Sequence, residues 1–190
     1  FFNTFRFLDV ATGTADLAIE AARRHPGIQV EGIDFAPQIL ALGHQKIRDR
    51  GLEGRIRLFR ADAMKIPFAN GSFDAAGIAF GIRNVPRIEK ALDEAHRVLR
   101  RGGRFLCLEF SAVDVPMLEK AYRLFSDRVI PPMGKLVTGD AQPYQYLIES
   151  IRKFPPPDRF GAMIGAAGFR RVTHTALSGN IAALHGAWKL

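Results

Sequence analysis

Hydrophobic positions along this chain follow two alternating rhythms. Short apolar runs at 5–10, 28–34, 56–61, 73–80 and 104–110 predict strands, several of them apolar on both faces. Between them, apolar residues recur at helical spacing. Leu17, Ala18, Ala21 and Ala22 share one face of a helix predicted over 14–24. A second helix is predicted over 38–49, with Pro37 at a first-turn position and Gly51 just beyond its end. The clearest period runs over 87–100, where Ile88, Ala91, Leu92, Ala95, Val98 and Leu99 align. Arg101, Gly102 and Gly103 read there as a basic last turn and a glycine stop. Further on, the spacing predicts a helix over 115–127, an inserted loop rich in proline and glycine over 128–143, and helices over 144–153 and 158–167. Two closing strands are predicted over 169–176 and 181–188.

Strand and helix alternating through short loops predict an α/β fold: a doubly wound, mostly parallel sheet with helices on both faces. No repeat, low-complexity tract or linker divides the chain, so residues 1–190 read as one domain. A chain of 190 residues buries roughly 70% of its unfolded surface and needs no staple. Its 47% hydrophobic and 24% charged content is that of a globular protein. A lone cysteine, Cys107, excludes an intramolecular disulfide and a cysteine-rich zinc cluster, and points to a reducing, cytoplasmic setting. The given residues show no signal-peptide pattern and no apolar run of about 18 residues, so neither a secretion signal nor a spanning helix is expected. The first strand begins almost at once and without an initiator Met, so the expectation is that an N-terminal part is missing.

In an open parallel sheet, ligands sit outside the carboxyl ends of the strands where strand order reverses. After the first strand come Ala11, Gly13 and Ala15, small enough to let backbone approach a ligand, followed by a helix N-terminus that favours anionic groups. Thr14 lies in this turn and equally suits a helix cap. The second strand ends at Asp34, whose carboxylate can accept both hydroxyls of a ribose or cap the helix behind Pro37. The third ends at Ala61, Asp62 and Ala63, where an acid can accept from an adenine amino group between small neighbours. Neither G-x-G-x-x-G nor a Walker-type phosphate loop is present.

This order of signals, with the helix leading into Leu99-Arg100-Arg101-Gly102-Gly103-Arg104-Phe105-Leu106, resembles the class I S-adenosylmethionine (SAM) methyltransferases, a Rossmann-like fold with a seven-stranded sheet. A narrower resemblance follows. Phe80-Gly81-Ile82-Arg83-Asn84-Val85, the stretch 91–99, Phe105 to Ser111, Val129-Ile130-Pro131 with Gly139-Asp140, Tyr146 to Pro155, and the tail 179–189 are similar to the ubiquinone/menaquinone biosynthesis C-methyltransferases. The F-G-x-R-N and Y-L-x-E-S-I-R-x-F-P strings are the specific part; methyltransferases in general lack both.

That resemblance implies SAM as cofactor and methylation of a ring carbon of a polyprenylated hydroquinone: demethylmenaquinol to menaquinol, or the matching ubiquinone step. It implies Gly13, Thr14, Asp34, Asp62 and Ala63 as cofactor contacts. Ala79 stands where the family usually has a serine contact and offers backbone only, and Ala15 replaces a commoner third glycine. The family also carries a segment ahead of the first strand, with a Tyr-Asp pair that helps close the pocket. The expectation is therefore a folded core that is catalytically incomplete.

Methyl transfer to carbon needs an electron-rich ring. The hydroquinol's hydroxyl has a pKa near 10, so some group must help remove or stabilise its charge. Arg83 and Asn84, just past the fourth strand, are the catalytic candidates: Arg83 for the developing phenolate, Asn84 for the hydroxyl, with a water or a carboxylate taking the proton. A surface ion pair and a turn residue are their structural alternatives. Tyr144 and Tyr146 suit either a pocket wall or helix packing, and His185 either the quinol or the core. His25, His44, His96 and His174 lack metal-ligand spacing, and no metal is expected.

Two rivals remain. A nucleic-acid methyltransferase is suggested by the +8 formal charge, but Ala79-Phe80-Gly81-Ile82 is not an Asn/Asp-Pro-Pro-Tyr string, and Cys107 lies mid-strand. A SAM-binding domain without activity is the other. The basic residues are scattered, not gathered with aromatics, which fits an anionic bilayer better than nucleic acid. The expected partners are thus the polyprenyl hydroquinone and a membrane surface, with a homodimer as an admissible assembly. The expected location is the cytoplasm, peripherally at the inner face of the membrane.

Overall fold

The computed structural model describes residues 4–111 and 142–190. The predicted helix over 115–127, almost all of the loop over 128–143 with Val129-Ile130-Pro131 and Gly139-Asp140, and the Tyr144 side chain lie outside the described residues.

Strand β1 (Phe5–Val10) leads into α1 (Asp16–Arg24), β2 (Ile28–Asp34), α2 (Pro37–Arg48), β3 (Ile56–Arg60) and β4 (Phe73–Ala79). A single 3-10 turn, Ile82–Asn84, precedes α3 (Ile88–Val98) and β5 (Leu99–Phe110). The chain closes with α4 (Gln142–Lys153), α5 (Pro157–Ala166), β6 (Arg170–Leu177) and β7 (Ala182–Trp188). The seven strands form one sheet in the order β3-β2-β1-β4-β5-β7-β6. β1 to β5 are parallel, and β7 joins β5 antiparallel. Strand order reverses beside β1, which pairs with both β2 and β4.

The period of two in β1 explains its continuous hydrophobicity. Leu8 and Val10 feed a core with α3 and α5, through Leu92, Val98, Phe160 and Ile164. Phe7 feeds the other face, against Ala18, Ile19, Leu40 and Ile47 of α1 and α2. A strand buried on both faces has no polar side to show. Arg6 and Asp9 are the exceptions: Arg6 is half-buried and bonds to Glu31 and the Ser72 carbonyl, whereas Asp9 shares the Phe7 face by alternation and is buried.

Most element boundaries lie within two residues of expectation, and two of the differences have a visible cause. Helix α1 starts at Asp16 rather than 14, because Ala11, Gly13 and Ala15 all hold left-handed φ angles, of 55°, 58° and 65°. The turn must unwind these before a helix can start. Helix α3 stops at Val98, and Leu99 to Gly103 belong to β5 instead of a glycine-capped helix end. Gly102 donates its N–H to the Lys189 carbonyl and Lys189 donates to Gly103, so the chain's last residues draw this segment into the sheet.

Candidate functional site

The carboxyl ends of β1, β2, β3 and β4 surround a cavity of about 830 Å³. Gly13, Thr14, Asp34, Asp62, Ala63, Ala79 and Asn84 all line it. Asp34 accepts the Gly13 N–H through Oδ2 (2.9 Å) and the Ala36 N–H through Oδ1 (3.0 Å). It therefore ties the β1 turn to the start of α2 without being that helix's cap, which is Ala36. Each carboxylate oxygen still has a lone pair for a ligand. Asp62 accepts the Met64 N–H at 2.8 Å, an Asx-type turn that holds its carboxyl between Ala61 and Ala63.

Thr14 does not cap α1. Its hydroxyl donates to Asp16 Oδ2 at 2.6 Å, and Lys46 Nζ donates to Thr14 Oγ1 at 2.8 Å and to both Asp16 oxygens at 2.9 Å. This knot pins the cavity turn to α2, and it holds the Asp16 carboxyl below the usual range through the Thr14 and Lys46 bonds. Left-handed backbone at a non-glycine residue costs on the order of 1 kcal/mol, and Ala11, Ala15 and Phe80 (φ 54°) all carry it beside the cavity. A third glycine would fit φ 65° at position 15 without that cost.

Asn84 and Arg83 separate. Asn84 lines the large cavity; Arg83 does not, and lines a smaller one of about 170 Å³ with Tyr146, Ser150 and Phe154. Its guanidinium donates to Glu109 Oε1 at 2.7 Å and to the Phe80 carbonyl at 2.6 Å, and lies over the Phe110 ring. The ion pair is buried, with the Glu109 side chain 1% exposed. Burial pushes the Glu109 carboxyl up, and the Phe110 N–H and Arg83 pull against it. The structural alternative for Arg83 was a surface ion pair; the ion pair that it makes is internal.

Several wall residues were not foreseen. Leu17, Phe35, Ile39, Phe80 and Val85 give the cavity an apolar rim, and Phe35 is 69% exposed. Gly81 packs so tightly that a Cβ there would lie 2.5 Å from that of Ala11, which is why the F-G-x-R-N string needs its glycine. Asp9 also lines the cavity. Its carboxyl accepts from Thr12 Oγ1 at 2.6 Å, and burial pushes it up to about 7. An acid at a buried position of a largely apolar strand was the available signal. His185 is a core residue: its ring meets the Pro157 carbonyl at 3.1 Å and packs against Phe160. Cys107 is buried, and burial pushes its thiol up. Among the described residues, no cluster of His, Cys, Asp and Glu could hold a metal.

The chain matches the ubiE/COQ5 methyltransferase family over residues 3–189. It is 56% identical to the ubiquinone/menaquinone biosynthesis C-methyltransferase UbiE of Nitrobacter hamburgensis over 187 residues, covering 98% of this chain and 74% of that protein. The UbiE of Rhodopseudomonas palustris is 54% identical over the same shares. Among solved structures, a SAM-dependent methyltransferase from Aquifex aeolicus superposes with a TM-score of 0.68 at 17% identity, over 98% of this chain and 83% of that one. The [4+2]-cyclase SpnF superposes at 0.73 and 20% identity, over 97% and 75%. One scaffold thus carries different chemistries, and likeness at this level shows the fold alone.

Proposed function

This chain belongs to the ubiE/COQ5 methyltransferase family, and from that premise we propose that its acceptor is the ring carbon of a polyprenylated hydroquinone. The enzyme is a SAM-dependent methyltransferase acting by C-methylation in quinone biosynthesis. The observation that carries the acceptor reading is the make-up of the cavity wall: acids and small residues at the ends of β1, β2 and β3, and past β4 the apolar Phe80 and Val85 with one amide, Asn84.

SAM fits the first part by chemistry. Asp34 has carboxylate lone pairs for ribose hydroxyls, Asp62 has one for an amino group, Ala61 and Ala63 leave room for a flat ring, and Gly13 and Thr14 present backbone at the turn. SAM supplies an electrophilic methyl group on a sulfonium. The chain's own task is to hold the acceptor carbon in line and to favour its ionised hydroxyl. We assign the amide N–H of Asn84, a residue of the cavity wall, as the donor to that oxygen, and Phe80 and Val85 as the apolar wall around the ring. Arg83 supports this wall from behind, through Glu109 and the Phe80 carbonyl.

Asp34→Ala should raise the Kd for SAM roughly 100-fold, since two hydroxyl bonds to a charged acceptor and the Gly13 anchor go together. Asp34→Asn should lose only about tenfold. Calorimetric titration measures both, and unchanged affinity in the alanine variant would remove Asp34 from the site.

A polyprenyl chain resides in a bilayer, so we place the reaction at an anionic membrane surface on the cytoplasmic side. A formal charge of +8 and the exposed Phe35 and Ile39 of the cavity wall, with the exposed Leu42 further along α2, support this. No helix among the described residues is long and apolar enough to cross a membrane. The test presents labelled SAM with demethylmenaquinol in vesicles and, in parallel, with RNA. Label should enter the quinol only, faster on anionic than on zwitterionic vesicles, with the difference shrinking as salt rises. Label in RNA would overturn the acceptor, and equal rates on both vesicles would overturn the membrane attraction.

A further inference from the structure

The two strings that single out this chain, F-G-x-R-N at 80–84 and Y-L-x-E-S at 146–150, meet in space. Tyr146 and Ser150 are four residues apart on α4 and so share one helix face. Tyr146 Oη donates to Asn84 Oδ1 at 3.0 Å, and Arg83 Nε donates to Ser150 Oγ at 3.3 Å. One face of α4 is thus fastened to both polar residues of the 3-10 turn, residue for residue.

We propose that Tyr146 is a positioning residue for methyl transfer, acting through Asn84. This rests on the hydroquinol reading above. An unpartnered asparagine amide can present either its oxygen or its nitrogen to the cavity. The Tyr146 bond holds Oδ1 toward α4 and so leaves the Nδ2 amide group, a donor only, as the end of the side chain free to turn to the cavity, although Oδ1 keeps a second lone pair. A donor stabilises an acceptor hydroxyl after it has lost its proton, and it does so more than before. Tyr146 is 59% exposed and has no core to support, so its hydroxyl contributes orientation to the site and little to the fold.

The test is Tyr146→Phe in the full chain, assayed with demethylmenaquinol beside the wild type. The expected result is a fall in kcat of about tenfold, with the KM for SAM unchanged and Tm unchanged. The acid limb of the pH–kcat profile should move to higher pH, because a hydroxyl that is less well stabilised when ionised titrates later. Asn84→Asp keeps an acceptor for Tyr146 but has no donor, and it should show the same two changes. Unchanged kcat in Tyr146→Phe, or a loss of kcat without the shift in the acid limb, would overturn the assignment. A wild-type chain that fails on this quinol while binding SAM overturns the acceptor reading, and the Tyr146 role with it.

Discussion

Arg83→Ala is expected to destabilise the protein by about 3–5 kcal/mol, because it strands a buried carboxylate. In a domain of this size that corresponds to a fall in Tm of roughly 10 °C. The Glu109 side chain is 1% exposed and Arg83 supplies its counter-charge at 2.7 Å; the Phe110 N–H, at 2.8 Å, is the other strong donor to the same oxygen. The substitution also releases the Phe80 carbonyl, which belongs to a residue held at φ 54°. A backbone in that region persists only where its surroundings fix it. Thermal unfolding of the variant measures the loss, and a Tm within about 2 °C of wild type would show that water reaches Glu109.

The companion variant is Arg83→Met with Glu109→Leu. Replacing both members of a buried pair by apolar groups of similar size is often neutral, so most of the lost stability should return. Turnover in that folded double variant then has a clean meaning. If it turns over, Arg83 supports the cavity wall from behind; if it binds SAM but does not turn over, Arg83 reaches the acceptor during the reaction.

The wall of the cavity at the ends of β1, β2 and β3 was legible because its logic is local. Asp34 and Asp62 each close an apolar run, and Gly13 with its small neighbours follows one, so position along the chain located them at the strand ends. The wall past β4 was not legible in the same way. Asn84 owes its fixed amide to Tyr146, and Arg83 its burial to Glu109, partners that no spacing rule joins. Phe80 and Ala11 sit at positive φ, which sequence discloses only when glycine stands there. The misread end of α3 has the same cause. Arg101-Gly102-Gly103 has the composition of a helix stop, but Lys189 pairs with both glycines and makes the segment a strand. Local preference loses to a ladder partner from the far end of the chain.

Asp9→Asn is expected to stabilise the protein at pH 8 and to leave it little changed near pH 4. The Asp9 carboxyl is pushed up from 3.8 to about 7, first by burial and then by the charge of Asp34, against the Thr12 hydroxyl bond. A folded state that holds its proton more tightly than the unfolded chain gains stability below the unfolded value, and loses it as pH rises through the folded one. Over that interval the loss amounts to about 4 kcal/mol from this one group. The surroundings explain why the hydrogen bonds from Thr12 and the Ala18 backbone relieve it only in part. Asp9 stands level with Gly32 on β2 and Gly77 on β4, so no side chain flanks it in the sheet. Thr12 fills the space over Gly32, where a Cβ would come within 2.9 Å of its hydroxyl oxygen. Asparagine keeps an acceptor for that hydroxyl and never ionises. Urea unfolding of both proteins at pH 5 and pH 8 isolates the effect, since groups shared by the two cancel in the difference. A difference that does not change with pH would mean that Asp9 titrates as an ordinary carboxylate. Because SAM carries positive charge, its binding beside Asp9 should also favour the ionised form, so affinity for SAM should rise between pH 6 and 8 in the wild type and stay flat in Asp9→Asn.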